Sequence, residues 1–321
     1  GAHDNVAFLV ERSELYMFCV LGVLSTGAAY VPLDDAHPDE RIKFILNDTS
    51  SKVVVVSDET CNRVKSLNED AIIINISDIV NGEIGVLSSL PTVEGDIACI
   101  LYTSGSTGLP KGVKITRDAI LNSVESYANK FKITNEDVYG LFATIGFNTA
   151  SLAICQSFYS GAHLSVVPGE IKLDMVKLND YFIEQGVTHT LITTQVGKLY
   201  METISESPLK VILVAGEKLG EFDNPNDYQF VNAFGLTEVF SFITSLCNSK
   251  KIDSSSIGMW NFNTKMYILD DELRRVPVGA VGELCISGYQ ISDGYLNREE
   301  ENSKAFVKNP FDVILTQNDL I

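Results

Sequence analysis

Short, continuous apolar runs rich in Val and Ile, spaced by stretches of helical periodicity, restrict the folds open to this chain. The runs lie at residues 52–56, 71–76, 98–102, 163–167, 188–192, 210–214 and 229–233. A strand buried on both faces has such a pattern, whereas a half-exposed strand alternates apolar and polar positions. Between the runs, a 3.6-residue period predicts helices over 13–24, 41–46, 117–131, 151–159, 175–185 and 196–204. Buried strands alternating with helices point to an α/β fold of layered, mainly parallel sheets. From about residue 257 the pattern changes to short strands at 266–269, 282–287 and 311–316, with one helical stretch at 298–305. An α/β core over 1–256 and a small β-rich, barrel-like subdomain over 257–321 are expected.

Composition narrows the function classes. At 321 residues, with 45% hydrophobic and 21% charged residues, the chain is an ordinary globular one able to bury a large core. Its net charge is −18, and no basic cluster exceeds the pairs 250–251 and 274–275. Nucleic-acid binding needs a concentrated basic surface and is disfavoured. The most apolar stretch, 16–33, is interrupted by Ser25, Thr26, Gly27 and Pro32, which predicts a buried helix and then a strand at 28–31 rather than a membrane span. No signal-peptide pattern is present. The six cysteines are scattered without a CxxC pair, which favours buried thiols and a reducing cytoplasm. The four histidines share no ligand spacing, and His163 and His189 flank strand runs as structural residues do.

Residues 101–113, LYTSGSTGLPKGV, follow the buried run 98–102. Three glycines allow bare N–H groups to approach an anion, and Thr103, Ser104, Ser106 and Thr107 add rotatable donors. Lys111 supplies a point charge suited to phosphate. The spacing is not that of a Walker A loop: Lys111 stands three residues after Gly108, behind Pro110 and before Gly112. A polyphosphate-binding loop of another kind is the reading, against a plain Gly/Ser-rich turn.

This loop closely resembles the signature of the adenylate-forming superfamily, which holds acyl-CoA synthetases, luciferases and the adenylation domains of nonribosomal peptide synthetases. Four further segments, in the right order, resemble the peptide-synthetase branch: 22–34 (GVLSTGAAYVPLD), 232–238 (NAFGLTE), 267–288 (YILDDELRRVPVGAVGELCISG) and 294–297 (GYLN). The resemblance implies ATP and Mg²⁺, with Thr103, Lys111 and Glu238 in catalytic roles and Glu238 as metal ligand. It implies ATP contacts from Thr103, Ser104, Gly105, Ser106, Thr107, Gly108, Lys111, Gly216, Asn232, Ala233, Phe234, Gly235, Thr237 and Asp319. Phe234 would stack on adenine where the family usually has Tyr, and Asp319 would accept from the ribose hydroxyls. Leu236 stands where the family has Pro, and Gln317 and Asn318 replace its Thr-Gly.

The same resemblance implies activation of a carboxylic acid as acyl-adenylate and its transfer to the phosphopantetheine thiol of a carrier domain, beside other synthetase domains. An acyl- or aryl-CoA ligase and a non-catalytic nucleotide-binding module are the alternatives. The family's mobile lid, whose lysine contacts the reacting carboxylate, would begin after Ile321, so a large-lobe core that adenylates poorly alone is expected. Residues 146–162 resemble the start of the acyl pocket, with Asn148 where amino-acid-activating members place an Asp opposite the α-ammonium. A neutral amide gives roughly 0.5–1.5 kcal/mol in such a bond against about 1.5–3 for a charged one, so either the acid lacks an α-ammonium, another group supplies the charge, or the domain is degenerate. The remaining pocket positions are Thr149, Leu152, Thr193, Leu213, Ala215, Ala233, Ser241 and Phe242. They predict an apolar or small lining without a charged side chain.

Overall fold

The computed structural model describes residues 3–82, 96–103, 109–220, 222–223, 228–248, 251–252 and 256–311. Its first sheet is built from β1 (Asn5–Leu9), β2 (Ala29–Pro32), β3 (Val53–Val56), β4 (Ile72–Asn75), β5 (Ile97–Thr103) and β6 (Lys111–Thr116). Their order is β4-β3-β1-β2-β5-β6, parallel except for β6, which returns antiparallel to β5. Helices α1 (Glu14–Ser25), α2 (Asp39–Asp48), α3 (Asp58–Leu67) and α4 (Ile76–Val80) connect these strands.

The second sheet takes β7 (Val138–Leu141), β8 (His163–Val166), β9 (His189–Thr193), β10 (Val211–Ala215), β12 (Gln229–Leu236), β13 (Ser241–Asn248) and β15 (Met259–Trp260). The two-residue strands β11 (Phe222–Asp223) and β14 (Lys251–Ile252) pair outside it. Helices α5 (Arg117–Phe131), α6 (Asn148–Ser160), α7 (Met175–Gln185) and α8 (Thr194–Thr203) belong to this half. The order β15-β13-β12-β10-β9-β7-β8 reverses direction at β7, because β8 lies on one side of it and β9 on the other. In parallel sheets the carboxyl ends of strands flanking such a reversal leave a crevice where ligands bind. Beyond β15, an antiparallel pair, β16 (Thr264–Leu269) and β17 (Glu283–Gly288), precedes α9 (Glu299–Ala305).

The largest core cluster joins both sheets: Phe8, Tyr16 and Tyr30 from the first half pack in one body with Tyr127, Ile154, Leu213 and Phe242 from the second. Caps fix the helix starts. Thr116 accepts from the Ala119 N–H at 3.1 Å to begin α5, and Asp174 accepts from Lys177 to begin α7. Several elements differ from the pattern-based expectation. The sequence pattern shows no helix at α3, because its residues are mostly polar, yet a Ser57–Thr60 capping box starts it. The expected strand 71–76 stops at Asn75, whose side chain caps α4. β6 replaces an expected loop because Thr103 to Ile97 offers it a pairing edge. The expected strand 311–316 begins in a turn at Phe311, and its remainder lies outside the described residues.

Candidate active site

A cavity of about 630 Å³ opens at the strand reversal. Phe142, Ala143 and Thr144 reach it from beyond β7, Leu191, Ile192 and Thr193 from β9, Ala215 from the end of β10 and Gly216 from just beyond it. Phe147, Asn148 and Thr149 contribute the start of α6. Gly235 and Phe242 close the side nearest β12 and β13. Gly216 has φ of +102°, a conformation that glycine adopts without strain.

Of the sequence-predicted pocket residues, Asn148, Thr149, Thr193, Ala215 and Phe242 meet in this cavity. Leu152, Leu213 and Ala233 instead sit in the core beneath it. Ser241 opens β13, outside the described side chains. Asn148 is the first residue of α6, whose N-cap Phe147 offers no side-chain acceptor. The helix start carries positive partial charge, which works against an ammonium at Asn148.

One expectation is corrected. The lining is not free of charge, because Lys172 enters the cavity from the loop after β8. Its ammonium lies 5.1 Å from the Phe142 ring centroid. Burial first, then the neighbouring Arg12 charge, lower its pKa to about 8 against the opposing pull of Asp34.

A second group of residues forms where β6 meets the segment 293–296. Thr103 and Lys111 are paired across β5 and β6, so the two ends of the glycine-rich loop are held side by side. Ser104, Gly105, Ser106, Thr107 and Gly108 lie outside the described residues, as does Asp319. The Asp293 N–H donates to the Lys114 carbonyl at 2.8 Å and the Leu296 N–H to the Gly112 carbonyl at 2.7 Å, while Lys114 N–H donates to Gly294. The GYLN segment thereby pairs with β6 through a single antiparallel bridge, Val113 to Tyr295, and brings Tyr295 to the site.

Tyr295 joins two of the predicted catalytic residues. Its hydroxyl donates to Glu238 Oε1 at 2.8 Å, and the Lys111 ammonium stands 5.2 Å from its ring centroid. Phe306 packs edge-on against the same ring at 5.4 Å. Burial, followed by the bond to Glu238 and its charge, pushes the phenol pKa well up, so the hydroxyl stays protonated and donates.

Glu238 sits on a 3₁₀ turn, Thr237–Val239, between β12 and β13. A register shift at Phe234/Gly235 bends the strand into this turn, and Phe240 leaves it at φ 23°. The Glu238 carbonyl accepts from the Ser292 N–H at 2.8 Å, which ties the turn to the GYLN side. Phe234 is half-buried against the cluster of Val239, Ile243, Ile286 and Ile291, and Asn232 lies in β12 between Val214 and Leu246.

Among the described residues no three or more His, Cys, Asp or Glu side chains converge as a metal cage. A lone carboxylate at Glu238 fits Mg²⁺, which takes most of its oxygens from phosphate and water. Sequence reasoning missed Tyr295 and Lys172. The first lay inside a recognised segment, but its partners stand 57 and 184 positions away; the second follows a single 3₁₀ turn, Gly169–Ile171, too short to show a periodicity.

The profile of the AMP-binding enzyme family matches residues 1–296. This chain belongs to the AMP-binding enzyme family. Surfactin synthase subunit 2 of Bacillus subtilis (strain 168) is 37% identical over 320 residues, which cover 96% of this chain and 9% of that protein. The chain thus spans about a tenth of the length of that relative. A four-domain nonribosomal peptide synthetase, holo-AB3403, solved with AMP and glycine, superposes with a TM-score of 0.80 at 26% identity, over 96% of this chain and 23% of that one. The N-terminal subdomain of Klebsiella oxytoca NpsA shares the fold, with a TM-score of 0.82 at 20% identity over 99% and 82% of the two chains. The layered α/β architecture and the adenylate-forming family expected from the loop at 101–113 both hold.

Proposed function

We propose that this chain is the core of a nonribosomal peptide synthetase adenylation domain, which uses ATP to activate a small carboxylic acid as its acyl-adenylate. The reading rests on one observation above the others: an acid-sized cavity at the strand reversal ends at Gly216 and Gly235, and β12 leads from Gly235 directly to Glu238, beside Tyr295 and Lys111. A carboxylate oxygen attacks the α-phosphorus, the bond to the bridging oxygen breaks, and pyrophosphate leaves with the electron pair. Two anions must meet, so catalysis is mainly positioning and charge neutralisation.

In this reading Glu238 would hold Mg²⁺, which when bound neutralises the phosphate charge. Thr103, Lys111 and the loop residues Ser104, Gly105, Ser106, Thr107 and Gly108 would grip the pyrophosphate end. Asn232, Ala233, Phe234, Gly235, Thr237 and Gly216 would frame the adenine, and Asp319 the ribose. The activated acyl group would pass to the phosphopantetheine thiol of a carrier domain within a cytoplasmic synthetase. The described helices include none long and apolar enough to cross a membrane.

The test is Mg²⁺-dependent ATP binding by this chain, followed by acid-dependent ATP–pyrophosphate exchange in the protein that contains it. Glu238→Gln is expected to abolish the Mg²⁺ dependence of binding and to slow exchange by about 100-fold or more. ATP binding that ignores Mg²⁺, or a Gln variant that exchanges at the wild-type rate, would overturn the assignment.

A further inference from the structure

The acid-binding cavity is electrically one-sided. Its described lining contains no carboxylate, and its single charged side chain is Lys172. That ammonium rests over the Phe142 ring and makes no hydrogen bond or ion pair among the described residues. Two charged groups act on it from the neighbouring elements. Arg12, beyond β1, is fixed by donating to the Leu141 and Val167 carbonyls at the ends of β7 and β8. Asp34, beyond β2, is buried and accepts from the Ala36 N–H at 2.9 Å. A half-buried cation without an ion-pair partner, facing an apolar cavity, is costly unless a ligand completes it.

The place of Lys172 along the sheet gives the ligand its direction. The reacting carboxylate belongs near Gly235, which follows β12 towards Glu238, whereas Lys172 packs on Phe142 at the end of β7. These strands are three neighbours apart in the sheet, which at roughly 4.8 Å per spacing separates their ends by about 14 Å. Lys172 therefore lies at the far end of the cavity from the reacting group. We propose that Lys172 is a specificity residue that pairs with the tail of the substrate, and that the acid activated is an elongated one carrying a second carboxylate at its distal end. Thr144, Thr149 and Thr193 supply hydroxyls on the path between the two ends. Asn148 then faces a substrate with no α-ammonium to neutralise.

The inference rests on the adenylation reading, and matched eight-carbon acids, which when extended reach across the roughly 14 Å with an ion pair at the far end, separate the two. Suberic, octanoic and 8-aminooctanoic acids share a chain length and differ only in tail charge, negative, neutral and positive. Calorimetric titration of this chain in the presence of AMP and Mg²⁺ should rank suberic acid first, by about tenfold or more over octanoic acid. Lys172→Met should bring suberic and octanoic acids within about twofold, Lys172→Arg should keep the preference, and Lys172→Glu should turn it towards 8-aminooctanoic acid. A side chain needed only for folding would lower all three affinities together, and thermal unfolding midpoints check that the variants fold. Equal binding of suberic and octanoic acids by wild type, or a suberic preference that survives in Lys172→Met, overturns the proposal. Nucleotide binding with no binding of any of the three acids overturns it while leaving the adenylation reading intact. Absence of both nucleotide and acid binding removes the two together.

Discussion

Tyr295 gives its hydroxyl to Glu238 and its ring face to Lys111, so one side chain sets the separation of the two charges that would handle the phosphates. A carboxylate held by a protonated phenol loses less freedom when it takes up a metal than one rotating in solvent. Tyr295→Phe keeps the ring beneath Lys111 and removes only the donor. The expected outcome is Mg²⁺-dependent ATP binding weaker by about tenfold, with Mg²⁺-free binding unchanged. A variant that matches wild type across a Mg²⁺ titration would show that the hydrogen bond does not position Glu238. Residue identities at Thr103, Lys111, Asn148 and Glu238 are legible because each sits in a contiguous segment. Tyr295 and Lys172 act through contacts far apart in sequence, which no local spacing records.

At the scale of elements, the GYLN segment is held against β6 by one β-bridge and a side-chain clamp rather than by a full ladder. Asn302 at the heart of α9 accepts from the Tyr295 N–H at 2.6 Å and donates to the Tyr295 carbonyl at 2.8 Å. Gly294, one residue earlier, has φ of +79°, and a Cβ there would stand 2.7 Å from Asn302 Oδ1. Gly294→Ala thus combines a left-handed backbone with a collision against the clamp, and should destabilise the fold by about 1–3 kcal/mol in urea titration. It should also weaken the Mg²⁺ dependence of ATP binding, because Tyr295 moves with its backbone. An Ala variant as stable as wild type would mean that the segment is held by other contacts. Most of the buried parallel strands were legible as apolar runs, though β7, four residues with Gly140 inside it, was not, and α5 and α7 fall where the helical period places them. β6 and α3 were not: a lysine-flanked glycine strand and a polar helix are fixed by a neighbouring edge and a cap, not by their own periodicity.

Across the whole molecule, the two ends of the second sheet carry different work. The carboxyl ends of β7, β9 and β10 open into the cavity, while their amino ends are tied by Asp137, which is 2% exposed. Its Oδ1 accepts from Lys210 at 2.7 Å, just before β10, and from Thr188 at 3.0 Å, just before β9; its Oδ2 accepts from the Thr134 N–H at 2.9 Å. Burial raises the Asp137 pKa, but the Lys210, Thr134 and Thr188 bonds and the His189 charge outweigh it and leave it at about 2. A carboxyl with a lowered folded pKa stabilises fully above its unfolded value near 3.8, and that stabilisation disappears as pH falls through about 2. The contribution is roughly 2 kcal/mol at neutral pH. His189, whose pKa burial lowers, adds a separate loss that starts as pH falls through the usual histidine range, since the unfolded chain then binds the extra proton. Because one core cluster spans both sheets, these losses belong to the unfolding of the whole body rather than of one strand. Urea unfolding between pH 2 and 5 should therefore show stability rising with pH less steeply in Asp137→Asn than in wild type, the His189 loss remaining, with the variant about 2 kcal/mol less stable at pH 7. A slope between pH 2 and 4 that persists unchanged in the Asn variant would move the acid sensitivity to other carboxylates of this acidic chain.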